Sequence, residues 1–204
     1  MAIIDWPDTA ARRPAAVEWA QVVPEALSSS VFNQSTQSTV LGPAYWLATV
    51  TIGPRRREEV RGWEAFIATF ADTRDRVRFW DWHYESPAGL GTGVPLVKGA
   101  GQSGRSLLTD GWTVSTAGLL LAGDLIGVNG ELRRVIADGN SNGAGEITLS
   151  LDQALRSSPA DNAPLTLTKP KALFICTTDK RSRGFMRDGA HRKGPTLEFM
   201  EVFA

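Results

Sequence analysis

Residues 45–82 read YWLATVTIGPRRREEVRGWEAFIATFADTRDRVRFWDW, and the hydrophobic period changes twice within them. Residues 44–52, AYWLATVTI, are aromatic and β-branched and are stopped by Gly53-Pro54, the composition and punctuation of a strand. In residues 55–71, Val60, Trp63, Phe66, Ile67 and Phe70 recur at spacings of three and one. That is the apolar stripe of an amphipathic helix, with Pro54 and the acids Glu58 and Glu59 suited to its first turn. Residues 76–82 alternate again, Val77, Phe79 and Asp81 against Arg78, Trp80 and Trp82. Large residues on both faces of that strand predict contact on both sides. A strand, a helix and a strand in under forty residues set the helix against a sheet.

Working outward, Val17, Trp19 and Val23 alternate in residues 15–23, a further strand. Residues 28–40 are Ser/Thr-rich around Val31 and Phe32 and read as a strand entering a loop. Residues 85–104 hold six glycines and two prolines, a linker or extended arm. Short strands are then predicted at 112–115, 119–121, 125–128, 131–136, 146–151 and 165–168, with Asn129-Gly130 a two-residue hairpin turn. Strands at 172–177 and 196–203 follow, separated by a basic loop. The predicted fold is mainly β: a β-sandwich or barrel-like core with one amphipathic helix and a small inserted β domain. Residues 1–84 and 171–204 form the discontinuous core, 85–104 the glycine-rich arm and 105–170 the insert.

The chain has 204 residues, with 22 Lys plus Arg against 22 Asp plus Glu. A net charge of zero argues against a dedicated nucleic-acid binder. One cysteine, Cys176, forbids an internal disulfide and a cysteine zinc site, and two histidines leave little for a metal centre. The first residues, MAIIDWPDTAARRP, lack the apolar run of a signal peptide, and no run is long enough for a membrane helix. The expectation is a soluble protein of a reducing compartment that is not an enzyme. Charge is nonetheless uneven: residues 169–193 carry eight basic and two acidic residues. A solvated loop, contact with acidic surface of a neighbouring subunit and nucleic-acid binding all fit that charge. Few aromatics are interleaved for base stacking, which disfavours the last.

Several motifs imitate chemistry. Residues 99–104, GAGQSG, satisfy G-x-G-x-x-G, but the following RSLLTDGW offers no helix to receive a phosphate, and Arg105 stands where a P-loop needs lysine. Residues 138–143, DGNSNG, match the first half of a calcium loop, yet Leu149 occupies the position of the bidentate acid. Asp81, His83 and Glu85 alternate but find no further ligands. Cys176 lies in an apolar strand and reads as a small core residue. No catalytic, cofactor-binding or metal residue is assigned. Seven tryptophans are many for this length. They suit a core or a subunit interface, with a sugar-stacking platform at Trp112 the functional alternative.

The succession of YWLATVTIGP, EVRGWEAFIATF, RVRFWDW, the arm GTGVPLVKGAGQSGRSLLTDGW, the strand-rich insert beginning LLLAGDLIGVNGELRRVIADGNSNG and a C-terminal strand pair resembles distal tail proteins and related tail-tip proteins of long-tailed bacteriophages. The resemblance covers roughly residues 15–204. It implies a structural virion protein without catalytic residues, made in the host cytoplasm. It implies a ring, usually a hexamer, joining the tail tube protein to the tip, hub or other baseplate proteins. In some members the insert touches host carbohydrate or receptor-binding proteins. Another tail component, such as a tube or minor tail protein, and a carbohydrate-binding module are the competing readings. No membrane, specific nucleic acid or cofactor is expected.

Overall fold

A computed structural model describes residues 2–70, 75–188 and 191–203. Its strands in chain order are β1 (Ile3–Asp5), β2 (Ala16–Val22), β3 (Glu25–Ser29), β4 (Thr36–Val40), β5 (Tyr45–Thr51), β6 (Arg76–Trp80), β7 (Gly93–Val97), β8 (Gly104–Trp112), β9 (Leu125–Val128), β10 (Glu131–Arg134), β11 (Ile147–Leu155), β12 (Lys171–Cys176), β13 (Met186–Asp188), β14 (His191–Lys193) and β15 (Thr196–Glu201). The helix α1 spans Arg57–Thr69 between β5 and β6. The protein is mainly β with one α-helix, as its periodicities predict.

The principal sheet has six strands in the order β1-β6-β12-β15-β5-β2. Only β1 and β6 run parallel; the other neighbours are antiparallel. One face is closed. Trp46, Ala48 and Val50 of β5, Val77 and Phe79 of β6, Phe174 of β12 and Leu197 and Phe199 of β15 are buried there. They meet Val60, Trp63, Phe66 and Ile67 of α1, the stripe the sequence marks. Phe79 stacks on Phe174 at 4.2 Å between centroids, and Trp6 packs edge-on to Trp63, Phe66, Phe79, Trp82 and Phe199. Edge-to-face aromatic pairs add about 0.5–1.5 kcal/mol each beyond area burial. At the start of α1 the Glu59 carboxylate accepts the Arg56 backbone N–H at 3.0 Å, which meets a donor the helix leaves free.

β6 and β12 are paired neighbours, with Trp80 directly opposite Lys171. The chain between them builds a second sheet, β11-β8-β7, beside the β9–β10 hairpin. A second buried cluster gathers Val97, Leu107, Trp112, Ile126, Leu149 and Leu151 among others. Asn129 and Gly130 turn the β9–β10 hairpin with φ of 49° and 77°, the left-handed values a type I′ turn demands. Buried contacts also run between this unit and the six-stranded sheet. Leu125 and Leu132 belong to the first cluster, and the Trp46 indole donates to the Leu132 carbonyl at 3.2 Å.

Several element boundaries differ from expectation. The strand expected at 112–115 ends at Trp112 and begins at Gly104, so glycine-rich sequence enters a ladder. The expected arm 85–104 contains β7, paired with β8. Residues 119–121 and 165–168 make isolated bridges, Leu120 to Gly139 and Thr166 to Gly127, not strands. The stretch 28–40, expected as a strand entering a loop, instead belongs to a hairpin in which 25–29 (β3) pairs with 36–40 (β4). Ala71, the end of the expected helix, lies outside the described residues.

Candidate functional site

The motifs that imitate chemistry are occupied in folding their own loops. Residues 98–104 form the turn between β7 and β8. The Gln102 side-chain amide donates to the carbonyls of Lys98, Gly99 and Leu108 and accepts the Leu108 N–H at 2.6 Å. A strand follows it, not a helix. In 138–143 the Asp138 carboxylate accepts the Ala122 N–H, Asn140 accepts Gly118, and Asn142 accepts Ala144 and Glu146, all at 2.7–3.0 Å. These oxygens satisfy loop backbone. His83 donates its backbone N–H to Asp81 and faces that carboxylate at 3.1 Å through Nδ1, while Glu85 instead meets Lys169. Among the described residues no group of three His, Cys, Asp or Glu is arranged to hold a metal. Among the described residues no helix is long and apolar enough to cross a membrane. Cys176 is buried, and burial pushes its thiol pKa up, away from a nucleophile.

The tryptophans serve mainly the core. Trp6, Trp46, Trp63, Trp80 and Trp112 are buried and Trp19 and Trp82 half-buried. Trp112 is 4% exposed, its indole donating to Thr109 Oγ1 at 2.8 Å. Its faces are covered, so it does not stack on a sugar from solvent.

The basic segment 169–193 is dispersed by folding. Lys169 bonds Asp8 at 2.5 Å and Glu85 at 3.2 Å, and Lys171 sits 3.5 Å from Asp5. Asp5 is held bidentately by Arg78 at 2.8 Å, and that hydrogen bond lowers its pKa. A cleft of about 580 Å³ beside Arg78, Lys169 and Lys171 is therefore matched by acids. Arg183 is buried and donates to the carbonyls of Phe70, Cys176 and Thr178 at 2.8–3.2 Å. It closes strand and helix ends, a role no pattern in the basic run discloses.

What remains open is the hairpin β3–β4. Every residue of both strands is exposed. Five pairs, from Glu25–Val40 to Ser29–Thr36, carry it beyond the sheet as the continuation of β2 and β5. At ~3.4 Å per residue it projects by nearly 20 Å. The tip is internally tied: Ser30 accepts the Gln34 N–H at 3.0 Å and donates to the Ser35 carbonyl at 2.9 Å. Two of its side chains, Val31 and Phe32, are apolar and uncovered. Val31 is 94% exposed, Phe32 100%, and Leu27 and Val40, on one face, 66% and 65%. Sequence reading missed the hairpin because Ser and Thr on both faces leave no alternation.

In comparisons with known proteins, no family model matches the chain, and no curated protein is significantly similar to it.

Proposed function

We propose that this chain is a structural component of a phage tail tip or baseplate, assembling with copies of itself into a closed ring, a hexamer, that joins the tail tube to the tip or hub. The observation that carries the self-assembly is the projecting hairpin. A two-stranded ribbon exposed on both faces has little stability of its own, and a tip of Val31 and Phe32 in water gains nothing for a monomer. Both features acquire a use when a neighbour covers them. The free outer edge of β2 beside the hairpin offers unpaired backbone groups of the kind neighbours complete. The tail-tip context rests on the order of sequence features, strand, helix, strand, glycine-rich arm, insert and terminal strand pair. Native mass spectrometry of the full chain, with imaging of purified virions, tests the reading. A closed oligomer placed at the tail tip is the expected result. A single-copy species at every concentration, with no ring in the virion, overturns it.

A further inference from the structure

Among the described residues, no buried cluster covers the second face of the six-stranded sheet over its β2, β5 and β15 portion. Ala20, Leu47, Met200 and Ile175 align across four strands in one row. None of them belongs to either buried cluster, and Leu47, Met200 and Ile175 are half-exposed. The adjacent row is Glu18, Thr49 and Glu198. Both glutamates are exposed and, two strand spacings apart, present carboxylates roughly 10 Å from each other. The face is thus an apolar strip bordered by two acids.

The opposite side of the molecule has the complementary character. Phe185 packs into the core beside α1, and Arg55 and Arg192 bridge through their backbones, which sets β14 alongside the helix. Arg57, Arg61 and Arg192 line a cleft of about 330 Å³ floored by Val60 and Phe185, with Glu64 the one acid among the described residues lining it. Arg57 and Arg61 stand one helical turn apart, about 6 Å. Ala65 and Ala68 are among the exposed residues of the following helix, with Glu64 and Thr69, and are small enough for close approach. Among the described residues, no ion pair engages Arg57, Arg61, Arg192, Glu18 or Glu198.

We infer that copies of this chain associate head to tail, the arginine-lined flank of α1 and β14 on one copy seating on the open sheet face of the next, with Glu18 and Glu198 opposite Arg57 and Arg61. The inference rests on the self-assembly proposed above and adds to the hairpin a second contact between copies. A two-fold pairing of either side would set like charges together; joining opposite sides is heterologous, and such contacts close into rings when the rotation per copy allows. The apolar row supplies the area removed from water. The charges fix orientation and register and speed encounter, since solvent-edge ion pairs add little affinity each.

The test uses two charge-reversed full-length proteins. One carries Arg57→Glu and Arg61→Glu, the other Glu18→Arg and Glu198→Arg. All four side chains are exposed, so circular dichroism and melting should match the parent. In the first variant both sides are acidic, in the second both are basic, and each alone should associate at least tenfold more weakly than the parent in sedimentation or native mass. An equimolar mixture should recover assembly, because each acidic side then finds a basic one and the variants alternate. Parent assembly that survives both reversals, or variants that dissociate yet do not rescue one another, overturns the head-to-tail contact while leaving self-assembly standing. A parent that stays monomeric throughout overturns both.

Discussion

The backbone N–H of Trp46 donates to the carboxylate of Glu201 at 3.0 Å across the β5–β15 ladder. The tryptophan's indole reaches the other way, to the Leu132 carbonyl, and Arg156 approaches Glu201 at 3.4 Å. A buried acid therefore stands where the six-stranded sheet meets the intervening unit. Beside it, Arg133 and Glu131 form an ion pair only 1% and 4% exposed. Such clusters are costly when one partner is lost.

Burial raises the Glu201 pKa above its ordinary 4.5, against the favourable Trp46 hydrogen bond and the Arg156 charge. The unfolded chain releases that proton first. The parent should thus lose stability from this group as pH climbs from about 4.5 through the raised folded value. Glu201→Gln has no such proton. Its Tm relative to the parent should climb over that interval and level above it, read by calorimetry between pH 4 and 8. A difference independent of pH would show that Glu201 titrates alike in both states.

Trp63 has 0% exposure, with the guanidinia of Arg12 and Arg55 over its ring at 5.2 and 5.7 Å. Trp63→Ala should cost about 3–5 kcal/mol in urea unfolding. A cost below ~1 kcal/mol would mean α1 is not anchored through this ring.

Asn142 shapes the loop after β10, its Oδ1 accepting two backbone N–H groups and its Nδ2 donating to Glu146 at 3.0 Å. Asn142→Ala should lower stability by about 0.5–1.5 kcal/mol, and millimolar calcium should leave the parent's Tm unchanged. A calcium-dependent rise in Tm would identify the loop as an ion site instead.

Phe32→Asp should leave the monomer's unfolding free energy within about 0.5 kcal/mol, as for an exposed position free of special contacts, and abolish the oligomer. Intact assembly in this variant would remove the hairpin tip from the contact.

Residues 105–170 are proposed to be a separable unit. Replacing 86–170 with a short Gly/Ser linker should leave a cooperatively melting core, at a lower Tm because Leu125 and Leu132 leave the first cluster and the Trp46 indole loses its acceptor. A non-cooperative melt would show one indivisible body.

Local pattern accounts for the helix and for strands such as β5, where one side faces a core and every second residue must be apolar. It does not account for the sheet order. β12 and β15 return from the far end of the chain to lie between β6 and β5, and nothing in KALFIC or TLEFME names those neighbours. Glycines 99, 101 and 104 read as flexible arm, yet all three have positive φ and turn one strand into the next. Tryptophan number told of burial, not of a platform, because an indole counts the same in either place. The charged faces were visible only as totals: folding hid Arg183 and neutralised Lys169, while it gathered Arg57, Arg61 and Arg192 from separate segments.

The Trp80–Lys171 rung also bears on how the chain reaches this structure. Roughly 90 residues separate those neighbours, and closing so long a loop in an unstructured chain is slow and entropically opposed. If the intervening sheet collapses first around Leu107, Leu149 and Leu151, its own ends draw together and the rung becomes a nearly local event. Early formation of that unit would template the late β6–β12 zipper. Refolding kinetics should then be slowed far more by Leu149→Ala than by an equally destabilising change in β15.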